Sequence, residues 1–580
     1  MSKIQRIVAI VIALYLLLVL IDRFVLVELL VTRIGLSVLL ALFEAFAILG
    51  VGFAVRGALA RAWRAEDVDL PRDFLLGYPL FGALCFLAGT LNVSSWSMGI
   101  VLVLCGAGGI YVLVRRFESR PPLMPSISEP LVLIALAIVF LCALIAAQAP
   151  PSSLDELAYH LAVPWTWVKE HRAIDLPLIS HSYFPLGIES ADLPLLTILG
   201  QMGGGIASHF LHLGAALAST AMLFRLSRGN ALALAAIVTT PALALIAGWS
   251  LVDWPLIGIC AILVLALDVD DVPTIAMAIG AGLLTKYTFV PFAIIAVVVA
   301  RRWRGLLPGI AIGSIFFIRN LILTANQIAP FFSAAAPHVA GYRAPFLSDY
   351  VFDGHFLDES LGASLIAACT LSAGLLPWIL IAAAVVLFLF APSSRILLPF
   401  LAIPAARSHR PGRLMRVLLG LSIVVQLFLI GYFVDRGGAF SLLSATASDT
   451  EFLTKQRASF KTVQAIDALL PPDARALVIG LNETYWFARR VRGGGNFDGP
   501  RVSHYLEMPT AEALYARLKN DGITHVAVVA PAPAATAVAQ KLAERETALS
   551  PAAQRMLAQT LDRFASNVAP GAGATVFTLR

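Results

Sequence analysis

Charge is what this chain has least of. Of its 580 residues, 13% are Asp, Glu, Lys or Arg, about half of the roughly 25% that soluble domains carry. With 59% hydrophobic residues and a mean hydropathy of +0.84, that deficit excludes a soluble globular protein of this length. Cysteine is also sparse. Cys85, Cys105, Cys142, Cys260 and Cys369 lie in or beside apolar runs, and no pair has metal-ligand spacing. A disulfide framework and a zinc site are therefore not visible, and the thiols read as small buried hydrophobes. G-x-G-x-x-G, G-x-x-x-x-G-K-[ST] and H-E-x-x-H are missing too, which leaves cytoplasmic nucleotide chemistry without a motif. The net charge of +6 sits in short loops and does not point to nucleic acid.

What is present is a succession of long apolar runs, from residue 7 to about 433, each long enough to be read against a bilayer. Lys3 and Arg6 place the N-terminus in the cytoplasm. Arg56, Arg61, Arg64 and Arg72, then Arg115, Arg116 and Arg120, fall in alternate loops as the positive-inside rule requires. The pattern predicts about thirteen spans, including 7–27, 34–55, 73–90, 99–114, 130–148, 203–224, 231–248, 254–267, a hairpin 273–285/288–300, 306–323, 372–391 and 414–433. The first is read as a retained anchor, because another membrane segment follows it in place of a cleavage site. Segment 150–200 is then external, Pro-rich and aromatic, and is expected to hold one or two helices at the membrane surface.

Residues 436–580 are polar and Ala-rich, with no spanning run. A-L-V-I-G at 476–480, H-V-A-V-V at 525–529 and T-V-F-T-L at 574–578 read as strands. Helical patterns at 458–470, 510–520 and 537–561 accompany them, which predicts a small α/β domain outside the membrane. The division is 1–120 (additional N-terminal helices), 121–435 (membrane core with external loops) and 436–580.

On the external face this topology gathers polar residues. Asp155 and Glu156 follow an apolar run directly, at the mouth of the bundle, where water supports charge and hydrocarbon begins a few residues away. Asp253 stands before Trp254-Pro255, Lys286 interrupts an apolar stretch, and Arg319-Asn320 lie near an outer span end with Asn326 beyond. Each has a structural reading: a surface-helix cap for Asp155 and Glu156, an N-cap for Asp253, a snorkelling turn for Lys286 and a structural ion pair for Arg319. Together they suggest carboxylates that orient an acceptor and cations that hold a phosphate leaving group.

In order along the chain stand D-E-L-A-Y-H-L-A-V-P (155–164), S-Y-F-P-L-G-I-E (182–189), V-D-W-P-L (252–256), G-L-L-T-K-Y-T (282–288) and I-R-N-L-I-L-T-A-N-Q-I-A-P (318–330). This series resembles the bacterial glycosyltransferases of the GT-C superfamily, relatives of the protein O-mannosyltransferases and of the lipid A aminoarabinose transferases. The resemblance implies a polytopic α-helical membrane enzyme of the inner membrane, its small C-terminal α/β domain periplasmic. It implies inverting transfer of a sugar from a polyprenyl-phosphate carrier to a glycan, glycolipid or protein acceptor, with no metal or other cofactor. Asp155 is implied as base or orienting group with Glu156 beside it, Asp253 as a second acid, and Lys286 and Arg319 on the carrier phosphate. Tyr159, His160, His181, Tyr183, Glu189, Tyr287, Asn320 and Asn326 are the remaining substrate-side candidates. Two features depart from the pattern. Four spans precede the one leading into the Asp-Glu loop, a set that could serve envelope-biosynthesis partners, lipid entry or stability. T-A-N-Q replaces T-G-N-P at 324–327. A transporter of a lipid-linked or polar substrate and a non-catalytic lipid- or glycan-binding subunit are the rival readings.

Overall fold

A computed structural model describes residues 34–61, 68–119, 129–227, 230–329, 412–493, 498–529, 549–571 and 573–580. The proposed spans at 7–27 and 372–391, and Cys369, lie outside the described residues.

The first four described helices are α1 (Gly35–Ala60), α2 (Leu70–Leu91), α3 (Ser95–Ser119) and α4 (Pro130–Ala147). They carry their apolar residues outward as well as inward. Trp96, Leu104, Leu36 and Leu39 are exposed, while Glu44, Arg56 and Asp73 are buried. That inversion of the soluble pattern suits helices facing lipid. Small residues let them touch: a Cβ on Gly82 of α2 would lie 1.6 Å from the carbonyl oxygen of Gly187.

After α4 come a π-helical turn (Glu156–His160), α5 (Ala162–Lys169), a 3₁₀ turn (Ser180–Tyr183) and the short α6 (Gly187–Ala191). α7 (Leu193–Leu226) is kinked at Gly200, whose φ of 71° and ψ of −172° only glycine adopts without strain. Then follow α8 (Ala231–Val238), α9 (Pro241–Ile246), α10 (Asp253–Val269), α11 (Val272–Thr285), α12 (Phe289–Ala300), α13 (Leu306–Gly313), α14 (Ile315–Thr324) and α15 (Arg413–Arg436).

Among the described residues, six helices are long and apolar enough to cross a membrane, or up to seven if α13 and α14, bent by 54°, count as one. This corrects the expectation of about thirteen, eleven of which fall in the described residues. The 231–248 run is two pieces of 8 and 6 residues, because Pro241 cannot continue α8. α10, α11 and α12 have 17, 14 and 12 residues, short of the ~20 that cross a hydrocarbon core alone. Apolar composition counted them as spans; helix length does not.

Beyond α15, α16 (Ala439–Leu443), α17 (Asp449–Gln456) and α18 (Ser459–Leu469) lead into a five-stranded sheet. Its strands are β1 (Arg475–Ile479), β2 (Arg490–Arg492), β3 (His525–Val529), β4 (Ala565–Gly571) and β5 (Ala574–Leu579), in the order β2-β1-β3-β5-β4. β2 and β3 run parallel to β1, whereas β5 is antiparallel to both β3 and β4. Helices α19 (Gly499–Leu506), α20 (Ala511–Asn520) and α21 (Pro551–Phe564) complete this part. The three predicted strands are β1, β3 and β5. The helix expected over 537–561 is seen as Pro551–Phe564, its first part lying outside the described residues. α20 ends as expected at Gly522, with φ 72°. Ile523 N–H bonds Leu518 O and Gly522 N–H bonds Lys519 O, the paired closure of a Schellman motif.

Candidate functional site

The π turn that follows α4 decides where the two adjacent carboxylates go. Leu161 N–H reaches back five residues to Glu156 O at 3.0 Å, and Glu156 is buried inward. Its Oε1 accepts from His209 Nε2 at 2.8 Å and Ser250 N–H at 2.7 Å. Its Oε2 accepts from the N–H groups of Ser153 at 2.9 Å and Ser152 at 3.3 Å. Burial pushes this carboxyl up, but the His209 imidazole and the Ser250 and Ser153 N–H groups outweigh it and hold it below the usual carboxylate range. Asp155 is only half-buried, and its charge acts on His181.

His181 belongs to an aromatic shelf. Its ring stacks on Tyr159 at 4.4 Å and packs on Phe184 at 4.8 Å, and Tyr287 meets Phe184 edge-on at 5.7 Å. His160 Nδ1 is 2.8 Å from Glu189 Oε1. Burial pushes the His181 imidazole down to about 3, against the pull of Asp155 and with the push of His160, Arg501 and Lys286. His181 is therefore neutral near pH 7, an uncharged hydrogen-bonding group beside a carboxylate.

Two cations, Lys286 and Arg319, lie next to these residues. Lys286, the residue closing α11, places Nζ 3.2 Å from Asp253 Oδ1. Asp253 is the first residue of α10, whose N-cap is Val252, so Asp253 pairs with Lys286 and does not take the expected N-cap position. Arg319 donates from Nη1 to Ser182 O at 2.6 Å and lies over the rings of Tyr183 and Phe86; its Nη2 is buried without a hydrogen-bond partner among the described residues. Asn320 Nδ2 donates to Tyr183 O at 2.7 Å, and the Tyr287 hydroxyl donates to the same carbonyl at 3.0 Å.

The structure thus brings Asp155, Tyr159, His160, His181, Glu189, Asp253 and Lys286 around one corner of the bundle. Arg319, Asn320 and Tyr287 brace the backbone of residues 182–183 beneath it. Two candidates stand apart: Tyr183 turns its hydroxyl to Asp175 at 2.5 Å, and Asn326 closes its own turn, its Oδ1 accepting from Ile328 N–H at 3.1 Å.

Several contributors were not foreseen. His209 lies inside an apolar span, and an ionisable residue there was a readable sign of a polar partner. The C-terminal part supplies the rest, for which the sequence holds no signal. Leu157 O accepts from both Thr484 and Tyr485 N–H, at 3.0 and 3.1 Å. Tyr485 and Gln201, next to the Gly200 kink, exchange hydrogen bonds. Asp498 accepts from Ser180 N–H at 3.1 Å, and Arg501 donates to Pro177 O at 3.0 Å. Burial raises the Asp498 carboxyl to about 6 although Arg501 and Ser180 oppose it. The loop carrying His181 is therefore clamped between bundle and sheet.

No family model and no curated protein matches the chain. Two crystal structures of ArnT from Cupriavidus metallidurans, one bound to undecaprenyl phosphate and one in the apo state, are similar to it at a TM-score of 0.40 each. They share 14% and 16% identity with it, and the matches cover 77% of this chain and 97% and 96% of theirs. A likeness at this level transfers no residue's role.

Proposed function

We propose that the chain is an inverting glycosyltransferase that moves a sugar from a polyprenyl-phosphate carrier to a hydroxyl of a glycan, glycolipid or protein, on the periplasmic face of a bacterial inner membrane. The observation that carries this reading is the convergence on His181 of one carboxylate, Asp155, and the Lys286 ammonium, where an apolar bundle meets an extramembrane sheet. The ordered motifs of residues 155–330 support the same reading.

In this mechanism the acceptor hydroxyl approaches Asp155. Its oxygen forms a bond to the anomeric carbon from the face opposite the phosphate. The bond from that carbon to the phosphate oxygen breaks, and its electron pair leaves on the polyprenyl phosphate. The hydroxyl proton passes to Asp155, which contributes typically ~10²–10⁴-fold as a general base. Lys286 stabilises the charge arriving on the phosphate, and Arg319 Nη2 is a second donor for it. Neutral His181 positions a hydroxyl without adding charge. Glu156, with every strong acceptor direction occupied, positions the π turn that presents Asp155 and is not assigned proton transfer. Asp253 holds Lys286 in place.

One observation favours the rival transporter reading. Glu44, within α1, is fully buried with both carboxylate oxygens lacking a hydrogen-bond partner among the described residues, and intramembrane acids mark transport routes. The test is transfer of radiolabelled sugar from a synthetic polyprenyl-phosphate donor by the full-length protein in nanodiscs, with the anomeric configuration of the product read by NMR. Inverted product supports the transferase. Movement of donor across a vesicle bilayer with no product from supplied acceptor fractions supports the transporter and sinks our reading.

A further inference from the structure

Between the 175–179 loop and the sheet lies a cavity of about 280 Å³, separate from the corner occupied by Asp155 and Lys286. Its polar lining is Asp175, Arg492, Tyr505 and Asp521; its apolar lining includes Leu176 and Ile523. Asp175 Oδ1 accepts from the Tyr183 hydroxyl at 2.5 Å, and Asp521 accepts from the Tyr505 hydroxyl. An ionised carboxylate has about four acceptor positions, so both retain capacity for further donors. Arg492 places Nη2 3.2 Å from Glu170, while its Nη1 is buried without a hydrogen-bond partner among the described residues.

The hydrogen-bonding groups of the lining point to the ligand class. Two carboxylates and one guanidinium line the cavity, and Glu170 is shared between that guanidinium and Arg475, whose Nη2 lies 2.7 Å from it, so the wall offers a ligand more acceptors than donors. Acceptors at Asp175 and Asp521, a donor at Arg492 and flanking apolar side chains suit a neutral ring bearing several hydroxyls over a C–H face. The volume lies just below the ~300–1,000 Å³ of small-molecule pockets, which admits a single ring and leaves no room for a polyprenyl chain. Its wall is the loop that continues into His181 and Tyr183.

We propose that this cavity is a sugar-binding subsite that anchors a neutral sugar ring of the acceptor, apart from the hydroxyl that reacts; the acceptor role rests on the transferase reading, the sugar site does not. Anchoring through a remote ring holds the acceptor at Asp155 without contributing to the chemistry itself.

The test uses the full-length protein in nanodiscs and saturation-transfer NMR with methyl glycosides of glucose, galactose and mannose. At least one glycoside takes up saturation from the wild type, and the signal disappears in Ile523→Trp, which fills the cavity. Asp521→Asn keeps an oxygen for Tyr505 and weakens the signal, so the question stays answerable if the tryptophan variant fails to fold. In transfer assays the acceptor KM rises about tenfold, equivalent to ~1.4 kcal/mol, with kcat unchanged in either variant. Absence of saturation transfer to all three glycosides, or equal transfer in wild type and both variants, overturns the site. Loss of glycoside binding with an unchanged acceptor KM overturns the acceptor role. A wild type that binds glycoside at this cavity yet transfers no sugar supports the sugar site and removes the transferase reading on which its acceptor role rests.

Discussion

Lys286 and Asp253 hold each other at 3.2 Å, across 33 residues of sequence and two helix ends. Both side chains are largely shielded, at 18% and 6% exposure, so neither removal is neutral. Lys286→Met strands a buried carboxylate and removes the cation proposed to hold the phosphate; we expect transfer to fall by ~10²–10³-fold, with a lower melting temperature. Lys286→Met/Asp253→Leu recovers melting temperature without recovering transfer. Recovery of transfer in the double variant would show that the ammonium serves only the pair.

Glu156 and Asp155 should separate cleanly despite being neighbours. Glu156→Gln places an amide donor among four existing donors and leaves at least one unsatisfied, which costs about 1–3 kcal/mol. Asp155→Asn, at a half-buried position, leaves thermal unfolding within the error of the wild type. Thermal melts of both variants in nanodiscs check this; equal destabilisation would mean that Asp155 is structural as well.

Docking of the sheet on α5 carries its own pH dependence. Lys169 Nζ donates to Phe487 O at 3.0 Å and Arg489 O at 2.9 Å. Burial lowers its ammonium from 10.5 to about 7, opposed by Asp467 and Glu170 and aided by Arg492. Between these values the unfolded chain binds one more proton at this site than the folded one, so stability rises as pH rises from 7 towards 10.5 and the gain is absent below 7. Hydrogen exchange of residues 484–490 should slow between pH 7 and pH 9 after correction for the intrinsic rate, and Lys169→Met should abolish that change.

The contact between Gly82 and Gly187 joins the N-terminal helices to the site. A Cβ at Gly82 would meet Gly187 O at 1.6 Å, and one at Gly187 would meet Leu284 O at 2.6 Å. α6, carrying Glu189, is therefore wedged between α2 and the helix that ends at Lys286. Gly82→Ala must displace backbone, costing ~1–3 kcal/mol and reducing transfer, whereas Gly99→Ala, with nothing within 4 Å, should change neither. Parallel melts and transfer assays of the two variants compare them directly.

These contacts show which parts of the protein were legible in the sequence. Long apolar runs located α1 to α4, and alternating strands located β1, β3 and β5. β2 is only Arg-Val-Arg, and β4 contains Pro570 and Gly571, so neither carries a strand signal. The run 155–160 announced two carboxylates, but only the π turn settles that Glu156 faces His209 inside the bundle. Lys286 was visible as an odd cation; its pairing with Asp253 depends on how α10 and α11 meet. The resemblance makes Arg319 a phosphate ligand, whereas most of its contacts brace residues 182–183. The clamp from Tyr485, Asp498 and Arg501 is long-range and left no local pattern.

Asp155 is proposed to take the acceptor's proton during transfer from a polyprenyl-phosphate sugar. The most direct measurement is single-turnover transfer by wild type and Asp155→Asn at equal folded protein, with donor and acceptor saturating. We expect a rate lower by ~10²–10⁴-fold in the variant, with its melting temperature unchanged. A variant that transfers at the wild-type rate would contradict it.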